Sequence, residues 1–147
     1  MSGPMSVNIG LLILRVGIGA AFMFYGIPKL IGGPGEWAGL GQAMGSLGIS
    51  FAPAFWGFMA AISMALGGLL LIIGLMVRPA AAFMCATMLV ATLMHLRVGD
   101  PATNTLHAAE MALVFLALVF TGAGRYHLPC PLCSGSSAAG ASASAER

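Results

Sequence analysis

The sequence predicts an all-α membrane protein, a bundle of four transmembrane helices with a short interfacial helix between spans 1 and 2. Three observations lead there. The chain of 147 residues is 59% hydrophobic and 7% charged, with mean hydropathy +0.98, whereas soluble domains carry about 25% charged residues. Its apolar residues fall into four runs, each able to supply the roughly 20 residues that a helix needs to cross a ~30 Å hydrocarbon core. The segments between the runs are short and marked by glycine and proline, which leaves no length for a soluble domain. The formal charge of +2 comes from bases scattered along the chain, so nothing suggests a nucleic-acid partner. The expected surroundings are the lipid bilayer and either other membrane subunits or further copies of the chain.

The first span is expected over residues 7–30. No basic residue precedes it and no small-residue cleavage pattern closes it before Lys29, so it reads as a retained span, not a removable signal. Arg15, Gly19, Phe22, Gly26 and Lys29 recur at three- and four-residue steps and form a polar and small seam along one face. Pro28, followed by Gly32, Gly33, Pro34 and Gly35, predicts a kink and then a stop. Residues 36–47 space Trp37, Leu40, Met44 and Leu47 on one helical face, which suits a short helix lying in the interface with Trp37 at headgroup depth.

Pro53 opens the second span, expected to run to about Val77, with Ser63, Gly67 and Gly74 keeping side-chain volume low for a close neighbour. Arg78 and Pro79 read as a tight connection to a third span over residues 80–96, in which Met84, Met88, Ala91 and His95 share a face. Cys85, in mid-helix, reads as a small packing residue.

The fourth span, residues 105–122, carries the acid Glu110. His107, Glu110, Val114, Ala117 and Thr121 share one stripe. A carboxylate on a membrane helix costs a few kcal/mol and marks a pathway, a relay or a pair. The expected arrangement turns this stripe inward, pairing Glu110 with Arg15 and with His107 or Tyr25 adding hydrogen bonds. Lys29 is the rival partner, and headgroup water reached from near the helix start is the plain alternative.

Beyond this span, His127, Cys130 and Cys133 form an H-x-x-C-x-x-C arrangement. It offers three of the four ligands that zinc needs, with no second set in the chain to complete them, so no metal is expected. The two thiols otherwise read as a redox dithiol or as cysteines without a role. Residues 129–147, rich in Ser, Ala and Gly, read as a disordered tail after a single membrane domain over residues 1–128.

Three stretches together resemble the DoxX family of small four-span bacterial membrane proteins: LILRVGIGAAFMFYGIPKL at 12–30, GGLLLIIGLMVRPAA at 67–81 and GAGRYHL at 122–128. The positions that carry the resemblance are Arg15, Gly26 and Lys29, then Gly67, Gly68, Gly74 and Arg78, then Gly122, Gly124, Arg125 and Tyr126. Where members often have Glu and His, this chain has Met64 and Tyr25; His127 and Pro129 replace a common Ser and acid. The resemblance implies a redox-associated protein of the bacterial inner membrane, a subunit of a quinone-linked sulfur or thiol oxidoreductase system; the cofactor is left open, with quinone the candidate. Under that reading Glu110, Arg15 and His107 are the candidate catalytic groups, Lys29 and Tyr25 the ion-pair or substrate contacts, and Cys130 and Cys133 the redox pair. A non-catalytic assembly subunit is the alternative, and a small proton-coupled transporter a weaker one. Arg78, Arg125 and Arg147 against Lys29 and Arg97 on the opposite loops place both termini in the cytoplasm.

Overall fold

The computed structural model describes residues 4–124. It is built of helices, α1 (Pro4–Ile31), α2 (Gly33–Gly41), a 3-10 turn (Gln42–Leu47), α3 (Pro53–Ile73), α4 (Val77–Val98) and α5 (Ala102–Thr121). Helices α1, α3, α4 and α5 are each long and apolar enough to cross a membrane. The short helix expected after the first span is present as α2 and the turn that follows it. Expectations for residues 125–147, including the tail, lie outside the described residues.

Two close pairs make the bundle, α1 on α3 and α4 on α5. In the first, glycine brings the backbones together: a Cβ on Gly19 would lie 2.6 Å from the carbonyl oxygen of Gly68, and one on Gly68 would lie 2.6 Å from that of Gly19. One heptad along α1, a Cβ on Gly26 would lie 2.5 Å from the Ala65 nitrogen. Lipid offers helices no hydrophobic drive to associate, so this backbone proximity and its van der Waals contact hold the pair. The seam read from the sequence is therefore the buried face of α1, with Arg15, Gly19, Phe22 and Gly26 all inward. Between the two pairs, Phe22 meets Phe115 edge to face at 4.9 Å, above Leu71, Met84 and Leu118. The Cys85 thiol donates to the Ala112 carbonyl across α4 and α5 at 3.4 Å.

One local expectation needs correcting. Arg78 and Pro79 are not the connection between spans; they sit in the first turn of α4, where proline loses no hydrogen bond. The connection is Gly74–Leu75–Met76, with Gly74 left-handed (φ 79°) as the cap of α3 and Met76 left-handed (φ 48°) before α4. The stop expected after Pro28 is present: α1 ends at Ile31, with Pro28 inside it, just before Gly32 and Gly33. Trp37 anchors the short helix: its indole N–H donates to the Lys29 carbonyl at 3.0 Å and its ring packs on Phe58 at 4.8 Å. Lys29 O is one of the last carbonyls of α1, and such groups need a partner from outside the helix. Helix α2 is thus docked on the bundle, with the carbonyls of Trp37 and Pro53 against Gly57 and Gly41 where a Cβ would fit at neither glycine.

Candidate functional site

Of the candidate site residues that the structure describes, Arg15 alone is fully enclosed, 1% exposed in the core face of α1. Glu110 and His107 are exposed, and so is Tyr25; Lys29 is half-buried. Among the described residues, neither Glu110 nor His107 makes an ion pair or hydrogen bond, so the expected pairing of Glu110 with Arg15 or Lys29 is absent. Rotation and depth explain why. The core takes the apolar stripe Ala108, Ala112, Phe115 and Leu118, and at 100° per residue Glu110 then points almost directly away from it. Phe22 and Phe115 touch and so share a depth. Arg15 lies seven residues from Phe22 toward one end, and Glu110 five residues from Phe115 toward the other, a separation of about 18 Å along the bundle at 1.5 Å per residue. Cys130 and Cys133 lie outside the described residues.

The structure instead builds a polar site that the sequence reading passed over. At the end of α4, Gly99 takes a left-handed conformation (φ 75°), and the Gly99 and Asp100 amides both donate to the His95 carbonyl at 3.2 and 3.1 Å. This turn folds the chain back, so that the Asp100 carboxylate reaches the His95 ring: Nδ1 and Oδ2 are 2.6 Å apart. This is the one ion pair among the described residues. Pro101 then starts α5, and the two helices leave a crevice lined by His95, Leu96, Asp100, Ala102, Thr105 and Leu106. A carboxylate on Nδ1 fixes the imidazole tautomer and leaves Nε2 to exchange a proton or to bond a ligand. The sequence held one signal, H-x-x-x-G-D, a glycine stop that brings an acid back over the preceding turn. No group of three metal-ligating side chains occurs among the described residues, so the pair alone does not make a metal centre.

The opposite end holds Arg78, whose guanidinium donates to the Phe120 carbonyl at 3.5 Å. A Cβ on Gly122 would lie 3.2 Å from Arg78 Nε, and one on Gly124 would lie 3.1 Å from Asn8 Oδ1. Gly122 has φ 69° and ψ −156°, a region that only glycine visits at little cost. Stretches far apart in the sequence, around Arg15, Gly74–Arg78 and Gly122–Gly124, are thereby gathered at one end of one bundle. The DoxX family model matches residues 10–97, more than half of the chain. The chain belongs to the DoxX family. No curated protein and no solved structure matches it. As a DoxX protein it is a multi-pass membrane protein of a family associated with redox functions at membranes. Within this DoxX chain, the match ends at Arg97, so Asp100, the carboxylate of the His95 couple, stands beyond it.

Proposed function

We propose that this DoxX protein is a membrane-embedded subunit of a quinone-linked sulfur or thiol oxidoreductase system, and that the quinone headgroup is handled at the His95–Asp100 crevice. One observation carries the reading: a histidine tied to a carboxylate at 2.6 Å, in a shallow open crevice beside the exposed side chains of Leu96 and Leu106, at the end of a membrane helix. Such a couple fits a quinone carbonyl, with the imidazole as hydrogen-bond partner, the Thr105 hydroxyl as a second polar group and the leucines against the ring and its tail. A bound quinone would supply a two-electron, two-proton couple, its electrons passing from or to a sulfur or thiol substrate on an associated subunit. His95 is the group to deliver or accept the proton at a carbonyl oxygen, and Asp100 holds the ring in place. With the termini in the cytoplasm, the crevice opens at the outer face of the inner membrane.

The test is a titration of purified protein in nanodiscs with short-chain ubiquinone and menaquinone analogues, read by quenching of Trp37 and Trp56. Saturable binding is expected, weakened at least tenfold in His95→Ala and less in Asp100→Asn. Absence of saturable quenching by either analogue in the parent protein sinks the reading. The assembly-subunit alternative draws its support from a different feature, the outward-facing Glu110 and His107.

A further inference from the structure

The outward face of α5 carries the arrangement that a membrane helix uses to meet another helix. Thr103, His107, Glu110, Ala117 and Thr121 are exposed along it, and Val114 is half-buried. These positions follow one another at steps of four, three, four, three and four residues. That is a 3.5-residue period, the seam of a left-handed helix pair. Small side chains at Thr103, Ala117 and Thr121 permit close approach, and polar side chains on such seams serve as interhelical hydrogen-bonding groups. Glu110 stands eight residues inside the start of α5, about 12 Å along the helix axis. An acid left there against hydrocarbon costs a few kcal/mol, and no group within the described residues relieves it.

We propose that this stripe is an intramembrane interface with a second copy of the chain, formed by parallel α5 helices about a twofold axis along the bilayer normal. The choice of occupant rests on self-complementarity. Two copies inserted in the same orientation can present α5 to one another only in parallel, so the two stripes run side by side in register. In a parallel seam the knob at position 107 enters a hole that includes position 110 of the partner helix. His107 of one copy therefore meets Glu110 of the other, and the twofold axis repeats the contact. The pair carries two imidazoles and two carboxyl groups in matched number, and an imidazole–carboxyl hydrogen bond satisfies both groups whichever holds the proton. A partner of another sequence would need to supply a base at the same depth; the second copy already has one. This surface lies outside the His95–Asp100 crevice, and the interface stands or falls independently of quinone binding.

The experiment measures the oligomeric state of the full chain in lipid vesicles by single-molecule photobleaching over a dilution series of protein in lipid. A concentration-dependent dimer is expected. Ala117→Trp should weaken it at least tenfold without lowering the melting temperature of the protomer by more than a few degrees. His107→Leu, which strands the acid, should weaken it similarly, and the exchange His107→Glu with Glu110→His should restore it, because the pair is rebuilt in reverse. A parent protein that stays monomeric at every dilution overturns the proposal. So does a dimer indifferent to Ala117→Trp, or a dimer weakened by His107→Leu that the exchanged pair fails to restore. Capture of a different membrane protein, lost in Glu110→Gln while the parent forms no dimer, assigns the stripe to that other chain and also overturns it.

Discussion

At the scale of single residues, separation along the bundle decides which charges couple. Arg15 and Glu110 face different surroundings at depths about 18 Å apart, and sites that far apart with no shared partner add in their effects to within about 0.5 kcal/mol. A double-mutant cycle with Arg15→Leu and Glu110→Gln, read by thermal unfolding in detergent, should therefore give near-additive losses. Coupling of several kcal/mol, as a broken buried pair would show, would mean that the two groups meet. The glycine at 122 is a sharper case. Its φ of 69° and ψ of −156° are tolerated by glycine alone, and a methyl there also meets Arg78. Gly122→Ala should cost about 1–3 kcal/mol, measured as a lower melting temperature. Met76 presents the opposite situation, an exposed side chain on a left-handed residue (φ 48°). Met76→Gly should relieve about 1 kcal/mol of that cost, and a loss of stability would count against the described turn.

At the scale of elements, glycine has two distinct uses along α1, and a substitution series separates them. Gly26 faces the backbone of Ala65, with its nitrogen 2.5 Å and its Cα 2.9 Å from where a Cβ would stand. Backbone cannot step aside as a side-chain end can, so Gly26→Val should force α1 and α3 apart and cost about 1–3 kcal/mol or more. Gly17 has nothing within 4 Å of its Cβ position, and Gly17→Ala should be neutral or add up to about 1 kcal/mol through helix propensity. Equal losses from both changes would contradict the α1–α3 pairing. The same contrast shows what α2 does for the bundle. It is held by its own glycine contact to α3 and by the Trp37 bond to the end of α1, so it closes one end of the bundle as a docked element.

For the whole molecule, the two ends of the bundle differ in kind. One gathers the start of α1, the Gly74–Met76 turn, Arg78 and the end of α5; the other gathers α2, the 3-10 turn and the His95–Asp100 couple, with Arg97 donating to the Gly45 carbonyl at 3.5 Å. The acids between the spans, Glu36 in α2 and Asp100 in the turn before α5, both belong to the second end. Under the positive-inside rule, arginine at the first end, with Arg125 and Arg147 following in sequence, argues for the cytoplasmic side there, and we propose that topology. A cysteine introduced in the exposed loop at the second end, Ser50→Cys, should react with a membrane-impermeant maleimide in intact cells above the background of the parent protein. Protection of that cysteine until the membrane is permeabilised would reverse the topology, and with it the face on which the crevice opens.

Sequence by itself determined the class, the number of spans, the short helix after the first of them and the inward seam of α1. Each rests on a one-dimensional signal: run length against bilayer thickness, and periodicity along one helix. Gly19 and Gly26 were legible in that way because a small residue repeated on one face needs no knowledge of its neighbour. Only the tertiary structure decided which stripe of α5 turned inward. That helix offers two stripes, one apolar through Ala108, Ala112, Phe115 and Leu118 and one polar through Glu110, and periodicity alone does not say which meets the bundle. Packing settled it, because Phe115 fills the space over Phe22 and Leu71 that a carboxylate could enter only by losing its hydration. The His95–Asp100 couple was hidden for a related reason. It arises from the path of the chain through Gly99, and the meeting of two side chains across a helix end is a property of that turn in space.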